Sequence, residues 1–248
     1  AWAVERLGAD IAEAAWSLFQ SIEREGGLAA SLRSGAFQSK VGEALTARRR
    51  AVARRKESVT GVSDFPLLDE LIPEVEGPWP AQAAAASAEA GSPIALLSAV
   101  RLSEPFEALR DAADAYLAQT GAPMRVFLAA LGPLAEHSAR LTFAANFFAA
   151  GGVASESATG ATDELAAAFH GSGLTVACLC GSDKRYAAEA AGAARALKLA
   201  GARRVYLAGR PGEAEGELRA AGVDAFIHVG VDVIEALYAL HGELRRQD

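Results

Sequence analysis

Between Met124 and Ala150 the spacing of apolar residues changes period. Met124, Val126, Phe127 and Leu128, with Leu131 at the end, form the short continuous run of a buried strand. Gly132-Pro133 interrupts it, and Leu134, Leu141, Ala145 and Phe148 then recur at helical spacing. Strand and helix patterns alternate from there to the C-terminus. A short strand is expected near 152–155, a helix over 162–169 capped by Thr162, and a strand over 174–180. Asp183 is expected to cap a helix over 183–200 that ends at Gly201. Then come a strand over 204–208, a helix over 213–220, a strand over 225–229 and a helix over 231–246. Such alternation, with near-continuous apolar strands, predicts a parallel sheet covered on both faces.

Upstream the pattern is helical only. Residues 1–25 read as an amphipathic helix, with Asp10 a candidate cap and Ile11, Ala15, Leu18, Phe19 and Ile22 on one face. Gly26-Gly27 ends it. A short helix over 28–33 stops at Gly35, and a third over 37–56 carries Phe37, Val41 and Leu45 one turn apart. These helices are too few to enclose a core and read as the tail of a larger domain. Prolines 73, 78, 80 and 93 mark an alanine-rich linker, and 104–119 is a connecting helix with Phe106, Leu109, Ala113 and Leu117 on one face. The expected domains are 1–66, helices of an incomplete domain; 67–122, linker and connecting helix; and 123–248, a five-stranded, doubly wound α/β domain of flavodoxin-like type.

The chain has 248 residues, 51% of them hydrophobic, and a net charge of −7, which describes a globular protein and disfavours a nucleic-acid partner. No apolar run reaches membrane-spanning length, so no membrane partner is expected. Cys178 and Cys180 offer no disulfide framework, which makes a reducing cytoplasm the expectation; sharing one strand face, they read as small core residues. The chain starts at Ala1 and its only methionine is Met124, so a piece of a longer protein is expected. Arg48, Arg49, Arg50, Arg54, Arg55 and Lys56 cluster on the third helix. A solvated face is the plainer expectation; contact with a partner chain or with substrate phosphates is the sharper one.

Ligands of doubly wound sheets sit at the carboxyl ends of the strands. Here those turns contain Gly132-Pro133, Gly181-Ser182-Asp183, Gly209-Arg210-Pro211 and Gly230-Val231. Glycine suits a close ligand, but tight-turn chemistry alone also accounts for it. Neither phosphate-binding fingerprint, G-x-G-x-x-G nor G-x-x-x-x-G-K-[ST], is present, and the first strand lacks the acidic residues of a phospho-acceptor site. His137 follows the first turn; without an orienting carboxylate it reads as exposed or capping rather than as a metal ligand. His241 lies at helical spacing from Leu237 and Leu244 and reads as packed. No nucleophile is paired with a base, so no catalytic residue is assigned. Phe143 and Phe147 form a second apolar face, suited to another domain or chain or to the connecting helix.

Several stretches together resemble the C-terminal part of the methylmalonyl-CoA mutase family. Ala14, Trp16, Leu18 and Phe19 with Ile22-Glu23 and Gly26-Gly27 resemble the last helices of its substrate-binding TIM barrel. TGVSDFP at 60–66 and RLSEPFEALR at 101–110 resemble its barrel exit and interdomain connection, and everything from Met124 resembles its cobalamin-binding domain. In the cobalamin-binding members the first strand is followed by Asp-x-His-x-x-Gly, whose histidine ligates cobalt. The matching positions here are Leu134, Glu136 and Ala139. His137 is one residue out of register, which turns an imidazole by about 100° on a helix. Ser182, Gly209 and Gly230 correspond to vestigial pocket turns of the cofactor site.

The resemblance is closest in pattern to the family's small (beta) subunit. It implies a non-catalytic chain that binds no cofactor and no metal, within an isomerase whose large (alpha) subunit carries adenosylcobalamin and interconverts methylmalonyl-CoA and succinyl-CoA. It further implies a heterodimer, a cytoplasmic location and propionate metabolism. The competing readings are a catalytic mutase in which His137 is the lower cobalt ligand, and a stand-alone small-molecule-binding module.

Overall fold

The computed structural model describes residues 1–70, 94–97 and 99–246. The expected linker between Pro73 and Pro93 lies outside the described residues. The described residues fall into two compact units, 1–48 with 94–100 less residue 98, and 49–70 with 101–246.

The first unit begins with α1 (Trp2–Arg24) and α2 (Gly27–Ser34), joined through Gly26, whose φ of 102° only glycine adopts without strain. Asp10 does not cap α1. It lies in mid-helix and pairs with Arg6 at 3.1 Å, because the helix already starts eight residues earlier. The expected apolar face exists as a stripe, but only Ile22 on it is buried; Ile11, Ala15, Leu18 and Phe19 are exposed. Trp16 stacks on Phe19 instead, with ring centroids 5.3 Å apart. α3 (Ala36–Ala53) follows; Gln38 at its start donates to the carbonyls of Leu32 and Ala95.

The second unit is built on five parallel strands. They are β1 (Arg125–Ala130), β2 (Ala154–Thr159), β3 (Val176–Cys180), β4 (Arg204–Ala208) and β5 (Ala225–Ile227), in the order β2-β1-β3-β4-β5. Between them run α5 (Leu134–Ala149), α6 (Thr162–Ser172), α7 (Asp183–Arg185), a π-helical turn (Tyr186–Ala190), α8 (Ala191–Leu199), a 3-10 turn (Gly212–Ala214) and α9 (Glu215–Ala220); α10 (Val233–Leu244) closes the fold. Alternate strand residues face opposite layers. One layer packs Val126, Leu128, Cys178 and Tyr206 against Phe147 and Phe148 of α5, Leu237 and Leu240 of α10, and Phe106 and Leu109 of α4 (Glu104–Thr120). The other packs Phe127, Leu179, Val205 and Leu207 against Leu165 and Phe169 of α6, Leu197 of α8 and Leu218 of α9. The doubly wound, flavodoxin-like α/β fold is therefore present, preceded by a helical region.

Element ends differ where caps and edges decide them. Ala161, not Thr162, precedes α6, and the Glu164 carboxylate returns to the Ala161 N–H at 2.9 Å. Ser182, not Asp183, caps α7, its hydroxyl accepting the Arg185 N–H at 3.3 Å. β2 reaches Thr159, beyond the expected end at 155: as a sheet edge its residues ASESAT are mostly exposed, so no apolar run advertises them. β5 stops at Ile227, two residues early. Cys178 and Cys180 are free, fully buried core residues, and burial pushes the Cys178 thiol well up.

The basic cluster is not one solvated face. Arg48, Arg49, Arg50, Arg54 and Lys56 are exposed, whereas Arg55 turns inward from a left-handed residue, φ 55°. Its guanidinium lies 5.8 and 5.6 Å from the ring centroids of Phe143 and Phe147 and donates to the Asn146 carbonyl at 3.4 Å. The second apolar face of α5 is thus met by a cation from the same unit, a favourable pairing with aromatic faces.

Candidate functional site

The chain leaves β2 on one side of β1 and enters β3 on the other. The switch point, where ligands of such sheets bind, is therefore the crevice between the carboxyl ends of β1 and β3. Its two walls are tied: the Leu131 N–H donates to the Cys180 carbonyl at 2.8 Å. After Leu131 the backbone reverses at Gly132, φ 77°, and α5 starts at Leu134.

Side chains of the chain itself cover this crevice. Arg185 reaches back from α7 and donates from Nε to Glu136 at 2.6 Å and from Nη1 to Glu189 at 2.6 Å. It crosses Gly132 so closely that a Cβ there would stand 2.6 Å from its Nε. The ion pair holds the Glu136 carboxyl below the usual carboxylate range and raises the Arg185 guanidinium. The Ser182 hydroxyl adds a longer bond of 3.4 Å to Glu136.

Tyr186 fills the next gap, between β3 and β4. Its hydroxyl accepts the Gly181 N–H at 2.9 Å and faces the carbonyls of Ala208 at 2.8 Å and Leu179 at 3.1 Å. A Cβ on Gly181 or Gly209 would come within 3.3 and 3.1 Å of its ring carbons. Burial raises its phenol far above the ordinary value, so it is a neutral structural group. The π-helical turn that begins at Tyr186 carries the side chain to this place; such turns recur at functional sites. Arg140 of α5 lies over the same ring at 5.5 Å, donating to the Ala208 carbonyl at 2.6 Å and to Asp183 at 2.7 Å. Past Tyr186 the ends of β4 and β5 open into a cavity of about 680 Å³.

The residues singled out in the sequence fall as follows. Leu134 is exposed, Glu136 is held by Arg185, and Ala139 lies on the rim of the cavity. His137 is buried rather than exposed, because it sits on the inner side of the first turn of α5; its Nδ1 lies 3.0 Å from the Gly132 carbonyl. Ser182 is a helix cap, Gly209 is a steric requirement of Arg140 and Tyr186, and Gly230, φ 97°, has nothing near where a Cβ would project. His241 is buried, with Nε2 2.8 Å from the Gly151 carbonyl. Among the described residues no three His, Cys, Asp or Glu side chains gather as a metal site. No helix among them is long and apolar enough to cross a membrane.

Sequence reasoning missed Arg140, Arg185 and Tyr186. The available signal was the glycine at three neighbouring strand ends, Gly132, Gly181 and Gly209, which leaves room for large side chains overhead as readily as for a ligand.

A five-stranded parallel sheet in the order 2-1-3-4-5, with its turns gathered at the carboxyl edge, defines a doubly wound α/β domain of the flavodoxin-like type. Residues 1–119 match the family model of methylmalonyl-CoA mutase. Curated relatives extend the match through the sheet. The chain is 47% identical over 238 residues to the methylmalonyl-CoA mutase small subunit of Streptomyces virginiae, covering 95% of this chain and 36% of the relative. It is 38% identical to a probable small subunit of Mycobacterium bovis (95% of this chain, 35% of the relative) and 34% identical to that of Propionibacterium freudenreichii subsp. shermanii (94% and 35%). The chain belongs to the methylmalonyl-CoA mutase family, and it spans about a third of the length of the curated relatives it matches.

Proposed function

We propose that this chain serves a methylmalonyl-CoA mutase as part of a non-catalytic small subunit. In this reading it holds no cobalamin and supports a large subunit, which binds adenosylcobalamin and interconverts methylmalonyl-CoA and succinyl-CoA. The cofactor would supply the radical chemistry and the large subunit its site. This chain supplies a folded surface for the heterodimer, in the cytoplasm.

The observation that carries the reading is the Glu136–Arg185 ion pair across the switch-point crevice. A cobalt ligand in this family is an imidazole steered by a carboxylate, as second-shell partners steer metal-bound histidines generally. Here the matching side chains are Leu134 and Glu136, and Glu136 is an anion engaged by a cation. His137, the neighbouring imidazole, is turned back onto the Gly132 carbonyl. The residues present do not fit a cobalt ligated through a carboxylate-steered imidazole. The small-subunit names of the relatives support the same reading.

Adenosylcobalamin titrated into the purified chain, followed by visible absorbance, tests this. The expected result is a spectrum equal to the sum of its parts. A tight complex whose spectrum changes on His137→Ala would overturn the reading.

A further inference from the structure

We propose that the cavity at the carboxyl ends of β4 and β5 binds a small amphipathic monocarboxylate, with an aromatic or branched apolar body inside and its carboxylate on Arg210. The volume, about 680 Å³, is that of a site for a small organic molecule. Phe143, Tyr186, Leu207, Leu218 and Ile227 provide apolar walls on several sides, which suits a hydrocarbon body rather than a sugar or a nucleotide.

The charges on the wall select the head group. Arg140 is already matched by Asp183 at 2.7 Å and by the Ala208 carbonyl, so it offers no free charge. Arg210 is exposed on the rim and makes no hydrogen bond or ion pair among the described residues. Apart from the His228 imidazole, which also lines the cavity, the wall therefore presents one unmatched positive charge. A single carboxylate balances it and matches the planar guanidinium fork; a phosphate dianion leaves a charge over, and a cation is repelled. The turn that carries Arg210 is Gly209-Arg210-Pro211-Gly212, which places this residue at the cavity mouth. This cavity lies beside the crevice closed by Arg185, with Arg140, Tyr186 and Gly209 in the wall between them, and its occupant does not depend on the subunit reading.

The test uses 4-biphenylacetate and its neutral amide as probes, with methyl NMR of the full chain. Saturable shifts at the methyls of Leu207, Leu218 and Ile227 are expected with the carboxylate, and weaker binding with the amide. Arg210→Ala, an exposed change, should weaken the carboxylate about fivefold to tenfold and leave the amide unaltered. Ala139→Trp, also at an exposed position, should block both probes. The proposal fails if these methyls do not shift at millimolar probe, or if the two probes bind alike with and without Arg210.

Discussion

His241 shows at the residue scale how a buried titratable group couples to stability. Its Nε2–H donates to the Gly151 carbonyl, while its buried Nδ1 has no hydrogen-bond partner among the described residues. Burial, opposed by that bond, holds its pKa below the ordinary value. In the unfolded chain the imidazole titrates near about 6.5. Between the lowered native value and that point the unfolded state binds more protons, so stability falls as pH falls below about 6.5. Urea denaturation between pH 5 and pH 8 should show this loss, and His241→Gln should flatten it. An unchanged slope in the variant would show that His241 does not carry the effect. His137 makes the complementary point: its residue type was visible in the chain, but its burial came from the side of α5 on which it lands.

At the scale of elements, the contact between α4 and the end of α5 depends on Gly152. A Cβ there would stand 2.8 Å from the Cβ of Ala113 and 3.3 Å from the Cα of Arg110, at a φ of +78°. Gly152→Ala combines overpacking with backbone strain and should cost about 2–4 kcal/mol. Gly121, φ 75°, has nothing within 4 Å of its Cβ position, so Gly121→Ala carries the strain alone and should cost about 1 kcal/mol. Equal losses in denaturant titrations would remove packing from the account. The neighbouring helices α5, α6 and α8 were legible as elements because their apolar residues recur every three or four positions. β2 was only half legible, since an exposed edge strand has no apolar face to repeat.

For the whole molecule, the two units differ in how much they bury. The sheet unit encloses two extensive apolar layers, while α1 leaves Trp2, Leu7, Ile11 and Trp16 at 78, 59, 60 and 60% exposure. Leu7 and Ile11 share one side of α1 with Leu18, while Trp2 and Trp16 project from the other, and apolar residues on both sides suit a helix enclosed by further elements. In the subunit reading the chain works inside a larger assembly. Co-expression with a homologous chain bearing an intact Asp-x-His-x-x-Gly should therefore yield a complex that survives gel filtration. Elution of the two chains apart at micromolar concentration would count against the assembly.

The run Val126–Leu128, the helical period behind it and the glycine at each strand end were enough to establish a parallel sheet and the place where its ligand turns gather. The residue types at 134, 136 and 139 likewise stand in the chain without any structure, because a motif position is a matter of counting. What closes those turns was not readable. Arg185 meets Glu136 across 49 positions and Arg140 meets Ala208 across 68, and only the winding of the helices over the sheet brings such pairs together. Periodicity is local and reports which face of an element is apolar. A crevice filled by a guanidinium and a phenol is a non-local event, decided by where three strands end and by the π-helical turn that aims Tyr186 between them.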